Sequence, residues 1–157
     1  MGTHIFCIID MDTKNKESER AQYKKLKAKF AKPINKPKKG ISCKVEFFET
    51  HLCTELFFFY YFQYTSRQYE NQESLIKDLN KCGKVKCGKV KYEKVKYEKT
   101  IDFFLNSKGL HSYFERKGGS LENAIANAET SMKEKDDRDY TYSELGRLMK
   151  ALENLQK

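Results

Sequence analysis

The sequence predicts an α/β domain with a small, mostly parallel sheet and a helical C-terminal half. Three observations predict it. His4-Ile5-Phe6-Cys7-Ile8-Ile9 is a continuous apolar run that ends abruptly in Asp10-Met11-Asp12. Residues 4–47 then read as strand, helix, loop, strand, which is a βαβ unit and implies parallel pairing. Beyond Phe47 the apolar residues fall at helical spacing. A chain of 157 residues is natural for one domain, here read as residues 1–157. Within it, 4–64 form the core, 81–96 a repeat-derived loop and 97–157 the helical part.

Taken in order, the first run is short and rich in β-branched and aromatic residues, the pattern of a strand buried on both faces. Residues 18–31 carry Tyr23, Leu26 and Phe30 at helical spacing, opened by Ser18 as a cap. Lys32 to Gly40, with two prolines, is a loop. Ile41 to Phe47 alternates apolar and polar as a second strand. Thr50 caps a helix over about 51–64 that is apolar on nearly every side and therefore central. Shorter helices come next at 72–80, 100–106 and 110–117, then one from Ser120 through Leu121, Ala124, Ile125 and Ala128. Thr141 and Glu144 form a capping box for a last helix carrying Leu145, Leu148, Met149 and Leu152.

Residues 82–99 are four copies of a five-residue unit: Cys82-Gly-Lys-Val-Lys, Cys87-Gly-Lys-Val-Lys, Tyr92-Glu-Lys-Val-Lys and Tyr97-Glu-Lys. A period of five fits neither a helix nor a solenoid. The first three copies are expected to form a tolerated, exposed loop insertion. Cys82 and Cys87 make a weak zinc half-site, because no second Cys or His pair matches them.

The net charge is +9, unevenly spread. Residues 14–44 hold 12 Lys or Arg against 2 Glu, and residues 81–99 hold 8 Lys against 2 Glu. Two basic segments on a mildly acidic body suit a polyanion partner, or are simply solvated faces. Lys24, Lys25, Lys27, Lys29, Lys36, Lys38 and Lys39 are the candidate nucleic-acid contacts. Lys predominates over Arg, so they would grip the backbone rather than read bases. No run approaches the roughly 18 apolar residues of a membrane span. No secretory leader pattern opens the chain, and five Cys is an odd number. The expected compartment is therefore the cytoplasm, with reduced thiols.

The strongest chemical signal is Asp10-x-Asp12. Residues i and i+2 of a strand point the same way, so both carboxylates would leave the sheet end together. The carboxyl end of a parallel strand is where open α/β sheets place ligands. Paired hard oxygen donors there suit Mg²⁺ or Mn²⁺; the alternative is that they only end the strand and cap the next helix. His51 and Glu55, four apart on the apolar helix, form a second candidate. A buried carboxylate needs a partner, which could be a metal, a Lys or His51 itself. No nucleophile stands near a base, and no Gly-rich phosphate loop is present.

Ile8-Ile9-Asp10-Met11-Asp12, with Cys53-Thr54-Glu55-Leu56-Phe57 later leading into Phe58 to Phe62, resembles the RloB-like proteins. Tyr97-Glu98-Lys99, Asn123 to Ala128 and Thr141 to Leu152 match further landmarks of that family in the same order. The resemblance implies an incomplete Toprim-like sheet and a metal-dependent nuclease, or nuclease subunit, of a bacterial anti-phage system. It implies that Asp10 and Asp12 hold the metal and that Asp10, Asp12 and Glu55 are catalytic, Glu55 having a catalytic or a structural role. His51, where the family has Asn, is a candidate behind them only from its spacing to Glu55. The implied partners are DNA or tRNA/RNA, an ABC- or AAA-type ATPase and further copies of the chain. The family's E-G-x-x-E strand has no counterpart here, which implies that a third acid comes from elsewhere. Otherwise the chain is a non-catalytic nucleic-acid- or ATPase-binding module.

Overall fold

The structure is a computed structural model that describes residues 2–11, 17–83, 86–87, 90–91, 93–133 and 141–157. Its class is mixed α/β, as the sequence predicts. Strand β1 (Thr3–Asp10) pairs in parallel with β3 (Ile41–Thr50) over eight register positions, from Thr3 opposite Cys43 to Asp10 opposite Thr50. Between them lie helix α1 (Glu17–Lys29) and a short strand β2 (Ile34–Lys36), then a 3-10 turn at Pro37–Lys39. The segment expected to be a plain loop thus adds a third strand. It pairs antiparallel with β3, so the sheet is mixed, with order β1-β3-β2. Gly40 closes the turn at φ +65°, a left-handed conformation that glycine adopts without strain.

The first strand is not buried on both faces. Ile5 is 41% and Ile8 49% exposed. The reason is position: β1 is an edge strand with one neighbour among the described residues. Helix α1 leans on β3 instead, where Tyr23 meets the Phe47 ring edge-on at 6.0 Å. Strand alternation puts Phe47 and Glu49 on the α1 face and Phe6, Phe48 and Asp10 on the other.

The opposite face is covered by helices. The apolar helix is shorter than its sequence suggests: α2 spans Glu55–Tyr60, and residues 51–54 form bends and a turn before it. Helix α3 (Gln72–Leu79) is capped by the Asn71 side chain, which accepts from the Ser74 N–H at 2.9 Å. A small antiparallel hairpin, β4 (Lys86–Cys87) with β5 (Val90–Lys91), comes next. Helices α4 (Ile101–Asn106), α5 (Leu110–Arg116), α6 (Leu121–Lys133) and α7 (Leu145–Leu155) complete the chain. The core runs through Phe48, Leu56, Tyr60, Leu75, Leu79, Phe114, Ala124, Ala128, Leu145 and Leu148. No helix among the described residues is long and apolar enough to cross a membrane.

Two sequence expectations change here. Thr141 and Glu144 form no capping box, because both are committed elsewhere. Thr141 donates its hydroxyl to the Arg67 carbonyl. The Glu144 carboxylate accepts the Glu49 N–H at 2.7 Å, and the Glu144 N–H donates to the Glu49 carbonyl at 2.7 Å. Residues 141–144 therefore continue the sheet beside the end of β3, with Ser143 bridged to Thr50. The repeat is also more than an exposed insertion at its ends. Cys82 and Val95 are buried in the core, and the Val95 N–H donates to the Cys82 carbonyl at 3.1 Å.

Candidate functional site

A cleft of about 280 Å³ opens at the carboxyl end of β1. Asp10, Thr54, Glu55 and Lys99 line it together with Tyr97, Phe58, Phe104 and Leu110. Each side chain arrives by a local device. Asp10 is the last residue of β1. After β3 the chain reverses through a γ-turn, in which the Cys53 N–H donates to the His51 carbonyl at 2.7 Å and Leu52 takes φ +61°. Left-handed backbone is strained for a branched residue, and such strain concentrates at functional sites. The turn delivers Thr54, whose hydroxyl donates to Asp10 Oδ1 at 2.9 Å and fixes that carboxylate.

Glu55 is only 2% exposed. Its Oε1 accepts the Tyr97 hydroxyl at 2.9 Å and lies 3.2 Å from Lys99 Nζ. Its Oε2 is buried with no hydrogen bond. Burial opposes ionisation, but the Cys53 thiol, the residue's own N–H, Tyr97 and Lys99 outweigh it and hold Glu55 below the ordinary carboxylate range. Lys99 is the converse. Burial alone would lower its pKa, yet the charge of Glu55, its hydrogen bond and the charge of Asp10 raise it. Burial and the Glu55 charge push up both the Tyr97 hydroxyl and the Cys53 thiol, so neither ionises near neutrality. Tyr97 is itself clamped by Asn80, whose side chain accepts from the Tyr97 N–H at 2.8 Å and donates to its carbonyl at 3.1 Å.

The structure therefore brings Asp10 and Glu55 into one cleft; Asp12 lies outside the described residues. His51 and Glu55 do not share a helical face, because α2 begins at Glu55. His51 is buried in the bend before it, its N–H donating to the Tyr142 carbonyl at 2.7 Å. The candidate lysines do not converge on the cleft. Lys24, Lys25 and Lys29 are exposed on α1. Lys27 is paired with the Glu49 carboxylate at 2.7 Å, which also accepts from Tyr23 and Tyr142 at 2.8 Å. Lys36, Lys38 and Lys39 flank the start of β3, and nine strand residues of about 3.3 Å each separate them from the Asp10 end.

Sequence reasoning missed the functional weight of Tyr97 and Lys99, which it noted only as landmarks. The available signal was their i, i+2 spacing outside any helix, which can aim both side chains at one carboxylate. It also missed Phe104, which a six-residue helix gives no periodicity to reveal.

The donors at the cleft are hard oxygens: the Asp10 and Glu55 carboxylates and the Thr54 and Tyr97 hydroxyls. That set fits Mg²⁺ or Mn²⁺, which commonly take one or two carboxylates and leave other positions to water and substrate phosphate. Among the described residues no group of three or more His, Cys, Asp or Glu is assembled for a metal, so no closed all-protein cage is present there.

Fold and site together define a small α/β domain with an acidic, Lys-bearing cleft at the end of a parallel strand. The family model described as RloB-like protein matches residues 2–152, and the chain belongs to that family. No curated protein and no solved structure matches the chain.

Proposed function

We propose that this chain is a metal-dependent nuclease, or the nuclease subunit of an anti-phage system, acting on phosphodiester bonds of DNA or RNA. The observation that carries the reading is the meeting of Asp10, Glu55 and Lys99 in one cleft. Asp10 and Glu55 would hold Mg²⁺ or Mn²⁺, which when bound offsets phosphate charge and lowers the pKa of a water. Thr54 holds the Asp10 carboxylate in place, and Tyr97 and Lys99 keep Glu55 ionised. Lys99 is 48% exposed at its side chain, and an ammonium has three donors. With one on Glu55, others remain for a phosphate oxygen. The anti-phage setting and the ATPase partner come from the family resemblance.

The test is cleavage of labelled single- and double-stranded DNA and RNA with Mg²⁺, Mn²⁺ or EDTA. The reading expects metal-dependent cleavage that Asp10→Asn and Glu55→Gln abolish while the proteins remain folded. A second reading is a non-catalytic binding module, since the exposed lysines of α1 and the half-exposed Lys99 can hold a phosphate backbone without a metal. Nucleic-acid binding without cleavage, and Mn²⁺ titrations identical in wild type and Asp10→Asn, would establish that reading instead.

A further inference from the structure

We propose that the cleft seats one unpaired nucleotide, its phosphate at Lys99 and its base against Phe104, so that the substrate is a single-stranded or locally opened polynucleotide. This rests on the reading of the cleft as a nucleic-acid site. Lys99 and Phe104 line the same cleft, joined through their neighbours: Lys99 pairs with Glu55 at 3.2 Å, Glu55 accepts the Tyr97 hydroxyl, and the Tyr97 ring packs 6.2 Å from Phe104. A nucleotide offers matching groups, a charged phosphate joined to a flat aromatic base.

Phe104 is 41% exposed although it lies among packed aromatics, with ring centroids 6.2 Å from both Tyr97 and Phe103. Its neighbours hold its position while leaving part of the ring open to solvent. Ile101 and Leu105 are also exposed, and with Phe104 they stand at i, i+3 and i+4, on one side of α4. Exposed aromatics beside a cation are the means by which single strands are held, because every base has a face to stack. A paired base in a duplex has both faces covered and cannot use the ring. The cleft volume, at the low end for ligand sites, suits one base and its phosphate.

The test uses the full chain without added metal and with EDTA, so that binding is read apart from cleavage. Fluorescein-labelled single-stranded RNA, single-stranded DNA and a duplex of the same sequence are titrated by anisotropy. The proposal expects both single strands to bind more tightly than the duplex. Phe104→Ala weakens single-strand binding by about 5- to 100-fold and leaves duplex binding unchanged, whereas Phe104→Tyr retains it. A 2-aminopurine in the single strand is quenched on binding to wild type and to Phe104→Tyr, and not by Phe104→Ala; if that variant fails to fold, Phe104→Leu carries the same expectation. Equal affinity for duplex and single strand, or quenching that survives in Phe104→Ala and Phe104→Leu, overturns this proposal alone and leaves that side of α4 to a protein partner. Absence of any nucleic-acid binding overturns it together with the reading beneath it.

Discussion

Lys99 Nζ lies 3.2 Å from Glu55 Oε1, pairing a half-exposed cation with a carboxylate that is almost wholly buried. The two ends of this contact carry different energies. For Lys99, water competes for the ammonium and the gain is modest. For Glu55, losing the cation would leave a buried charge leaning on Tyr97 and the Cys53 thiol. Lys99→Met should therefore destabilise by about 1–2 kcal/mol at neutral pH. Adding Glu55→Gln should recover part of that loss, since no orphaned charge remains. A double-mutant cycle by urea unfolding measures the coupling, and additive losses would show that the pair is not coupled.

Two buried carboxylates should set the acid limb of stability. Burial works against ionisation of Glu49, but hydrogen bonds from Lys27, Tyr23 and Tyr142 prevail; Glu55 behaves likewise, so both pKa values lie below the ordinary 4.5. A depressed folded-state pKa contributes stability that is fully present above the unfolded value and lost as pH falls through the folded one. The melting temperature should be insensitive to these groups near neutrality and fall below about pH 4.5. Glu49→Gln should lower stability at pH 7 and flatten the acid limb. A limb of unchanged slope would assign acid unfolding to other groups.

How far the sequence foretold this structure depends on the range of each interaction. Class, strand order in the chain and most helices were legible, because periodicity and capping act within a few residues. The exposure of Ile5 and Ile8 was not, since an apolar run does not record whether its strand ends at a sheet edge. The length of α2 was not either: Leu52 enters the left-handed region to close a turn, which nothing in its side chain announces. Thr141 and Glu144 have capping-box spacing, yet partners on β3 and in the loop at Arg67 claim both. At the site, Asp10 and Glu55 were found from strand ends and burial cost. Lys99 was not, because its role depends on a contact 44 residues away in sequence from Glu55.

The basic segment should divide into structural and exposed lysines. Lys27→Met removes the cation from Glu49, while Tyr23 and Tyr142 remain. It should cost about 1–3 kcal/mol, whereas Lys24→Glu with Lys25→Glu, both exposed, should stay within about 0.5 kcal/mol. If α1 contacts a polyanion, the Lys24/Lys25 pair should reduce binding and its salt dependence without changing the melting temperature. Unchanged affinity in that variant would remove α1 from the interface.

The repeat should tolerate loss of its middle copy and resist loss of its ends. Deleting residues 87–91 shortens the connection between buried Cys82 and Val95 while leaving both in place, and should shift stability by less than about 1 kcal/mol. Val95 is 1% exposed, so Val95→Ala should cost about 2 kcal/mol. Removing all of 82–96 deletes both anchors and should cost more than either change. Chemical denaturation of the three variants gives the order, and equal stability throughout would return the whole segment to the surface.

Gly146 decides between two opposed effects in the α6–α7 contact. Replacing a helical glycine by alanine ordinarily gains about 1 kcal/mol in helix propensity. At this position a Cβ would lie 3.0 Å from Ala128 Cβ and 3.1 Å from the Ile125 carbonyl oxygen, closer than side chains normally pack. The carbonyl belongs to the backbone of α6 and cannot yield without moving the helix. Overpacking of this kind costs about 1–3 kcal/mol, so the steric cost should exceed the propensity gain. Gly146→Ala is expected to lower the melting temperature by a few degrees, and Gly146→Val to lower it further. Ala128→Gly, which opens the same contact, should partly restore Gly146→Ala relative to the sum of the single changes. A melting temperature raised by Gly146→Ala would mean that α7 sits farther from α6 than these distances allow.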